Sequence, residues 1–170
     1  MLFRSKLVEK AFVAAEDRRF YLHDGVDSWG ILRAMLRNLR ERSVEEGAST
    51  ITQQLARTVY LDQDRTLWRK IKEAALAHKI ERQLSKQQIL EQYLNFVYLG
   101  SSAYGVADAA WVYFSKTPDQ LTLPEVALIA GLPPAPSVYS PLINPEFALQ
   151  RRAIVLRRMR EAGYIDDAQL

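Results

Sequence analysis

An all-α fold follows from three features of the 170-residue chain. Apolar residues recur at three- and four-residue steps, no alternating run bounded by turn signals suggests a strand, and helix starts and stops are marked by capping residues, prolines and glycines. With 48% hydrophobic and 25% charged residues the composition is that of a globular domain able to bury a core, and the length fits a single domain over residues 1–170.

The first helix is expected over 5–18, with Leu7, Ala11, Phe12 and Ala15 on one face. His23-Asp24-Gly25 turns the chain, and Asp27 or Ser28 caps a helix running to about Arg40. Residues 43–48 break the periodicity and suggest a mobile loop. Thr50 and Gln53 have capping-box spacing and open the next helix. A long helix over 66–84 is expected to bury Leu67, Ile71, Ala74, Ala75 and His78. Ser85 and Gln88 repeat the capping-box spacing for a helix ending at Gly100. A further helix spans about 104–115. Thr122, Pro124 and Glu125 open a short one closed by Gly131, before the loop Pro133-Pro134-Ala135-Pro136. Asn144-Pro145-Glu146 starts a last long helix that stops at Gly163, and the residues from Asp166 to Leu170 look like the first turn of another. There is no internal repeat or low-complexity segment.

The formal charge of +3 is modest, but bases gather at Arg33, Arg37, Arg40 and Arg42, over 65–72, and at Arg151, Arg152, Arg157, Arg158 and Arg160. Such local fields attract phosphates. The absence of cysteine excludes disulfides and thiolate metal sites, and two histidines argue against zinc. The longest apolar run, Val126–Leu132, falls well short of the roughly 20 residues that cross a bilayer. No apolar stretch of signal-peptide type follows the first charged residues, so the chain reads as a soluble segment.

Two acidic residues stand out. Glu16 ends a helix just before an aromatic, glycine-containing turn, where partial burial would favour a proton-accepting role. Glu73 lies among Arg65, Arg69, Lys70 and Lys72, an excess of cations that a pyrophosphate would balance. A solvated ion-pair face is the plainer account of that stripe, which the periodicity places opposite the apolar face. Between these acids, Ser49, Thr50, Gln53, Gln54 and Arg57 crowd a helix N-terminus, a setting that favours anions, although capping alone accounts for Thr50 and Gln53. By local chemistry His23, Asn95 and Tyr98 read as structural, and His78 as core-facing. The helix carrying Trp29, Ile31, Leu32, Met35, Leu36 and Leu39 among its arginines is amphipathic, which suits core packing or contact with a membrane surface.

These residues resemble the motifs of the peptidoglycan glycosyltransferases, the family 51 transglycosylase domains of class A penicillin-binding proteins and monofunctional transglycosylases. The first motif runs from Glu16-Asp17 through Phe20 and His23 to Gly25, and the second is Gly47-Ala48-Ser49-Thr50-Ile51-Thr52-Gln53-Gln54. The third is Arg69-Lys70-Ile71-Lys72-Glu73, the fourth runs from Ile89 through Tyr93, Asn95 and Tyr98 to Gly100, and the fifth is Glu125 to Pro133. The chain departs from the family at Ala48, where a second glycine is usual, and at Arg57-Thr58, where Lys-Asn is usual.

The resemblance implies a lysozyme-like helical lobe with a small membrane-proximal jaw. It also implies polymerisation of lipid II into β-1,4-linked glycan with release of undecaprenyl pyrophosphate. Glu16 and Glu73 would be the catalytic pair. Asp17, Phe20, His23, Ser49, Thr50, Gln53, Gln54, Arg57, Arg65, Arg69, Lys70, Lys72, Asn95 and Tyr98 would line the substrate groove. A divalent cation, Mg2+ or Mn2+, could bridge pyrophosphate and carboxylate, although the residues themselves assign none. The implied partners are lipid II, the growing glycan-lipid chain, the membrane surface and other cell-wall synthesis proteins, with no nucleic acid. The implied location is the extracytoplasmic face of the bacterial membrane. Family members usually carry an N-terminal membrane anchor, and class A members a C-terminal transpeptidase domain with a Ser-x-x-Lys motif, so the chain is expected to be part of a larger protein. Gly163-Tyr164-Ile165-Asp166 resembles the segment that leads into a class A linker. A lysozyme-like lytic enzyme and a non-enzymatic basic membrane-binding module are the alternatives.

Overall fold

A computed structural model of the chain describes residues 5–32, 49–60 and 67–170. The described residues are helical throughout, with one isolated antiparallel bridge, Tyr98 to Tyr104, and no strand. The expected all-α class is borne out. The chain forms two compact units, one from the residues up to Arg18 with Leu94–Leu170, the other from Arg19–Tyr93.

In the first unit the central element is α1 (Lys6–Glu16), whose Val8, Ala11, Phe12, Val13, Ala14 and Ala15 are all buried. Three alanines keep this helix slim enough for close neighbours, and it packs on α6 (Leu123–Ala130) and α8 (Pro145–Glu161), which also pack on each other. Helix α6 is apolar nearly all round and buries Val126 through Ala130, as a helix enclosed on several sides must. Helix α8 offers a single stripe, Ala148, Val155 and Met159. The short α7 (Pro136–Tyr139) rests on α8, and α5 (Gly105–Phe114) on α6.

Helix α4 (Lys86–Phe96) stops short of the expected end at Gly100. Its continuation is replaced by a returning turn, in which Leu99 N–H donates to Ala103 O at 2.9 Å and Gly105 N–H to Val97 O at 2.7 Å. Those bonds satisfy the backbone that a longer helix would have used, while Leu99 and Ala103 plug the core.

The second unit holds a 3-10 turn (Phe20–Leu22), a helical segment over 28–32, α2 (Ile51–Tyr60), α3 (Leu67–Gln83) and the start of α4. The expected helix towards Arg40, the 43–48 loop and Arg65 lie outside the described residues. The expected buried face of α3 is wrong. Leu67 is 87% and Ile71 59% exposed, Ala75 and His78 face solvent, and Ala74 is half-buried. The buried residues are Glu73, Ala77 and Ile80, nearly opposite Ile71 on the helix. Small Ala77 admits close neighbours there, and α2 packs against α3.

The capping boxes form as the sequence predicts. Thr50 N–H donates to Gln53 Oε1 at 3.0 Å and Gln53 N–H to Thr50 Oγ1 at 3.1 Å, and Ser85 and Gln88 pair in the same way. At α6, Thr122 donates to Glu125 Oε2 from its N–H and its hydroxyl, while Lys116 Nζ reaches Glu125 Oε1 at 2.7 Å. Burial opposes the ionisation of Glu125, but these hydrogen bonds and the Lys116 charge outweigh it and hold the carboxyl below its ordinary value of 4.5. A depressed folded-state value contributes stability above the unfolded value, and that contribution is lost as pH falls through the folded one. Wild type should therefore exceed Glu125→Gln in unfolding free energy at neutral pH, and that margin should shrink as the pH is taken below 4.5, as measured by urea titration.

Candidate active site

Glu16 is the last residue of α1, and its side chain is 7% exposed. The partial burial expected of a base is present. Its Oε1 lies 3.9 Å from Arg151 Nη2 on α8. Asp17, also buried, caps α1 by donating its N–H to Val13 O at 3.0 Å. Asn95 and Tyr98 belong to the same unit and both are exposed, the Tyr98 ring leaning on Tyr104 with centroids 5.0 Å apart.

Beyond Arg18 the first motif turns into the second unit, where its residues serve mainly to build the turn. Phe20 is fully buried, edge-on to Tyr21 and His23, with Lys86 Nζ 4.6 Å above its ring. His23 Nδ1 accepts from Gly25 N–H at 3.1 Å, so the neutral ring carries its proton on Nε2. Gly25 has φ +99, and a Cβ there would stand 2.9 Å from the backbone of Ala77 on α3. Only glycine permits that approach. Thr50, while capping α2, donates its hydroxyl to Gly25 O at 2.6 Å. One side chain thus joins the first motif to the second, and Phe20, His23, Thr50 and Gln53 are accounted for as architecture.

The groups left for chemistry gather around Lys70. Its ammonium donates to Ser49 Oγ and to Glu73 Oε1, both at 2.7 Å. Glu73 is fully buried, and its Oε2 has no hydrogen-bond partner among the described residues. Lys70 itself is 44% exposed, and two of its three N–H groups are engaged by Ser49 and Glu73. The plainer expectation of a solvated ion-pair stripe opposite the apolar face is corrected, because Glu73 has no solvent. Of the remaining bases, Arg57 and Arg69 are half-buried, and Lys72 is exposed with its ammonium 5.8 Å from the Trp68 ring centre. Gln54 Oε1 accepts from Tyr93 OH at 3.0 Å, which orients its amide.

Sequence reasoning missed a second, part-buried network in this unit. Glu81 Oε1 accepts from Thr52 Oγ1 at 2.6 Å and from Lys86 Nζ at 2.7 Å, and Lys86 also donates to His23 O at 2.6 Å. It binds α2, α3 and α4 to the first-motif turn. Its sequence signal is weak, since three common polar residues 29 and 5 positions apart carry no local pattern.

The donors among the described residues do not make a resident metal centre. Among the described residues no three His, Asp or Glu side chains gather around a common point, and Glu73 offers one unpaired oxygen with a cation already beside it.

The family model described as "Transglycosylase" matches residues 4–160, and the chain belongs to that family. It is 58% identical over 160 residues to penicillin-binding protein 1A of Escherichia coli strain K12, covering 94% of this chain and 19% of that protein. It is 56% identical over 162 residues to penicillin-binding protein 1A of Aquifex aeolicus strain VF5, covering 95% and 22%. The crystal structure of penicillin-binding protein 1A from Haemophilus influenzae matches with 37% identity and a TM-score of 0.49, over 70% of this chain and 14% of that one. The chain spans about a fifth of the length of these relatives.

Removing the Lys70 ammonium strands a buried carboxylate. Lys70→Met should cost about 2 kcal/mol of unfolding free energy, less than a fully buried pair because Lys70 is partly solvated. Glu73→Gln in the same background should restore much of it, as read from a urea double-mutant cycle.

Proposed function

We propose that this domain is a peptidoglycan glycosyltransferase that polymerises lipid II in cell-wall synthesis. Glu16 accepts the proton of the acceptor N-acetylglucosamine 4-hydroxyl as that oxygen attacks the anomeric carbon of the donor N-acetylmuramic acid. The carbon inverts from α to β, and undecaprenyl pyrophosphate leaves with the bonding electrons. Lys70, with Arg57, Arg65, Arg69 and Lys72, balances the charge of the leaving diphosphate, and Ser49 and Gln54 border the same groove. Glu73 acts at the donor side by fixing Lys70, since a carboxylate with no exposed surface is poorly placed to touch a sugar.

The supporting observation is the Lys70 ammonium, held by Ser49 and Glu73 with one donor to spare. A diphosphate leaving group needs such a cation. A lytic enzyme acting on finished glycan needs a protonating carboxyl and no diphosphate site, so the cation favours synthesis.

The reading places the domain at the extracytoplasmic face of the bacterial membrane, with lipid II and the growing glycan-lipid chain as substrates. No helix among the described residues is long and apolar enough to cross a membrane. The second unit does expose Trp29, Leu32, Leu67, Trp68 and Ile71, and aromatic and aliphatic side chains near Lys72 suit the bilayer interface.

Incubation with lipid II, followed by separation of products by length, tests the reading. Wild type should yield polymer, and Glu16→Gln should lose roughly 100-fold or more in rate, the scale of a general base, while keeping its circular dichroism. Glu73→Gln should slow turnover. Normal polymerisation by Glu16→Gln would overturn the role of Glu16. Short fragments from intact cell walls, with no polymer from lipid II, would select the lytic alternative.

A further inference from the structure

We propose that the outer face of α5 and the hairpin before it form a stacking platform for a polysaccharide strand, built on Tyr98, Tyr104 and Trp111. The identity of that strand, the β-1,4-linked glycan product, rests on the reaction proposed above.

The hairpin forms against local preference. Ala103 N–H donates to Gly100 O at 2.8 Å, which makes Ser101 and Ser102 the central pair of a two-residue turn. Their φ values are +50 and +61, the left-handed pair that such a turn requires and that asparagine and glycine adopt most easily. Serine is strained there, and strain of this kind persists only where the surroundings enforce it. Tyr113 on α5 donates its hydroxyl to Leu99 O at 2.8 Å, and Gly105, at φ +81, lies against the Asn95 carbonyl where a Cβ would collide.

What the strained turn presents is an aromatic pair. Tyr98 and Tyr104 face each other between the bonds Leu99 N–H to Ala103 O and Gly105 N–H to Val97 O, the non-hydrogen-bonded position where cross-strand side chains come closest. Their ring centres are 5.0 Å apart, and both residues are exposed, Tyr104 at 58%.

Helix α5 continues the surface. Val106, Ala109 and Ala110 are buried on its inner side, while Ala107, Asp108 and Trp111 lie on the outer side, Trp111 at 65% exposure. Trp111 is seven residues beyond Tyr104, two turns along the same face and a rise of about 10 Å. That rise is close to the length of a disaccharide in an extended strand, and small Ala107 between the two raises no obstacle.

The groups around these rings suit a neutral sugar. The negative face of an aromatic ring attracts the polarised C–H groups of a pyranose, while the tyrosine and serine hydroxyls and the Asp108 carboxylate can bond to its hydroxyls. No lysine or arginine occurs between Lys86 and Lys116, and Lys116 is paired with Glu125 at 2.7 Å. A surface for anionic lipid would carry bases beside its aromatic rings, as α3 does with Trp68 and Lys72.

Calorimetric titration with a β-1,4-linked hexamer of N-acetylglucosamine tests the platform. Wild type should bind it, and Trp111→Leu and Tyr104→Leu should each weaken binding by about 10-fold with Tm unchanged, the scale of a lost ring contact. Trp111→Phe, which keeps a ring face, should bind nearly as wild type does. Leucine keeps apolar surface without a ring, so the contrast between the two Trp111 variants reads stacking itself. Absence of binding by wild type, or equal binding by every variant, would overturn the proposal. Binding of phosphatidylglycerol vesicles that Trp111→Leu abolishes, with the hexamer indifferent to it, would make the face a membrane contact instead. A wild-type dimer that Trp111→Leu dissolves, again with the hexamer indifferent, would make it a protein interface. Titration needs no turnover: wild type that binds the hexamer through these rings but makes no polymer from lipid II would overturn the proposed reaction and leave the platform, so the two failures are told apart.

Discussion

A carboxylate shut away from water must be met by a cation or given up as a charge, and Glu73 is met by Lys70. Much of the second unit follows from that requirement. Burying Glu73 commits the 73, 77, 80 face of α3 to the interior, which turns Leu67, Trp68 and Ile71 outward. It brings Lys70 back along the helix, one turn from its partner, and leaves that ammonium where Ser49 can take a second donor. The same interior face carries Ala77, whose lack of bulk lets the Gly25 turn lie against α3. One buried charge therefore sets the inner face of a helix, its outer surface and the height of the cation at the candidate leaving-group site.

In the first unit the constraint is of another kind. Helix α1 is buried along nearly its whole length, so its register is fixed by Val8, Phe12 and the alanines rather than by polar contacts. A carboxylate at the end of so confined a helix inherits that rigidity, whereas one on a surface loop would not. Arginines of α8 meet the helix end, and α8 is held by its own apolar stripe against α1 and α6. Positioning of Glu16 thus traces back to ordinary core packing, and the polar groups make the final adjustment.

What the sequence made legible was local. Capping boxes at Thr50 and Ser85 require only residues three apart, and each forms as read. The boundaries of α1, α3 and α8 fall within two residues of expectation, because prolines, glycines and helix periodicity punctuate them. The inner face of α3 was not legible. Leu67, Ile71, Ala74 and His78 make the better apolar stripe by composition, yet the burial of Glu73 against Lys70 one turn away and a close backbone approach from Gly25 chose the other side. The end of α4 was misread for a similar reason, since Gly100 looked like a helix stop when it lies in a turn closed by bonds to Ala103 and Gly105. Arg151 was visible only as one base in a basic run. Its place opposite Glu16 joins residues 135 positions apart in the chain, and no local pattern encodes that.

Exposure separates the roles of the two acids where sequence treats them alike. Glu73 has no accessible surface and hydrogen-bonds a lysine through one oxygen, so it can shape the field at a donor site but is badly placed to exchange a proton with a sugar hydroxyl. Glu16 keeps a small accessible fraction and faces the Arg151 guanidinium at 3.9 Å, beyond hydrogen-bonding range. Partial desolvation beside a cation suits the general base proposed for it. Displacing a diphosphate needs the converse, a cation whose position is fixed and whose donors are not all used, and Lys70 meets it because Glu73 and Ser49 take two of three. In the proposed reaction the two carboxylates divide the labour: one receives the proton of the incoming hydroxyl, and the other holds the cation that receives the departing charge.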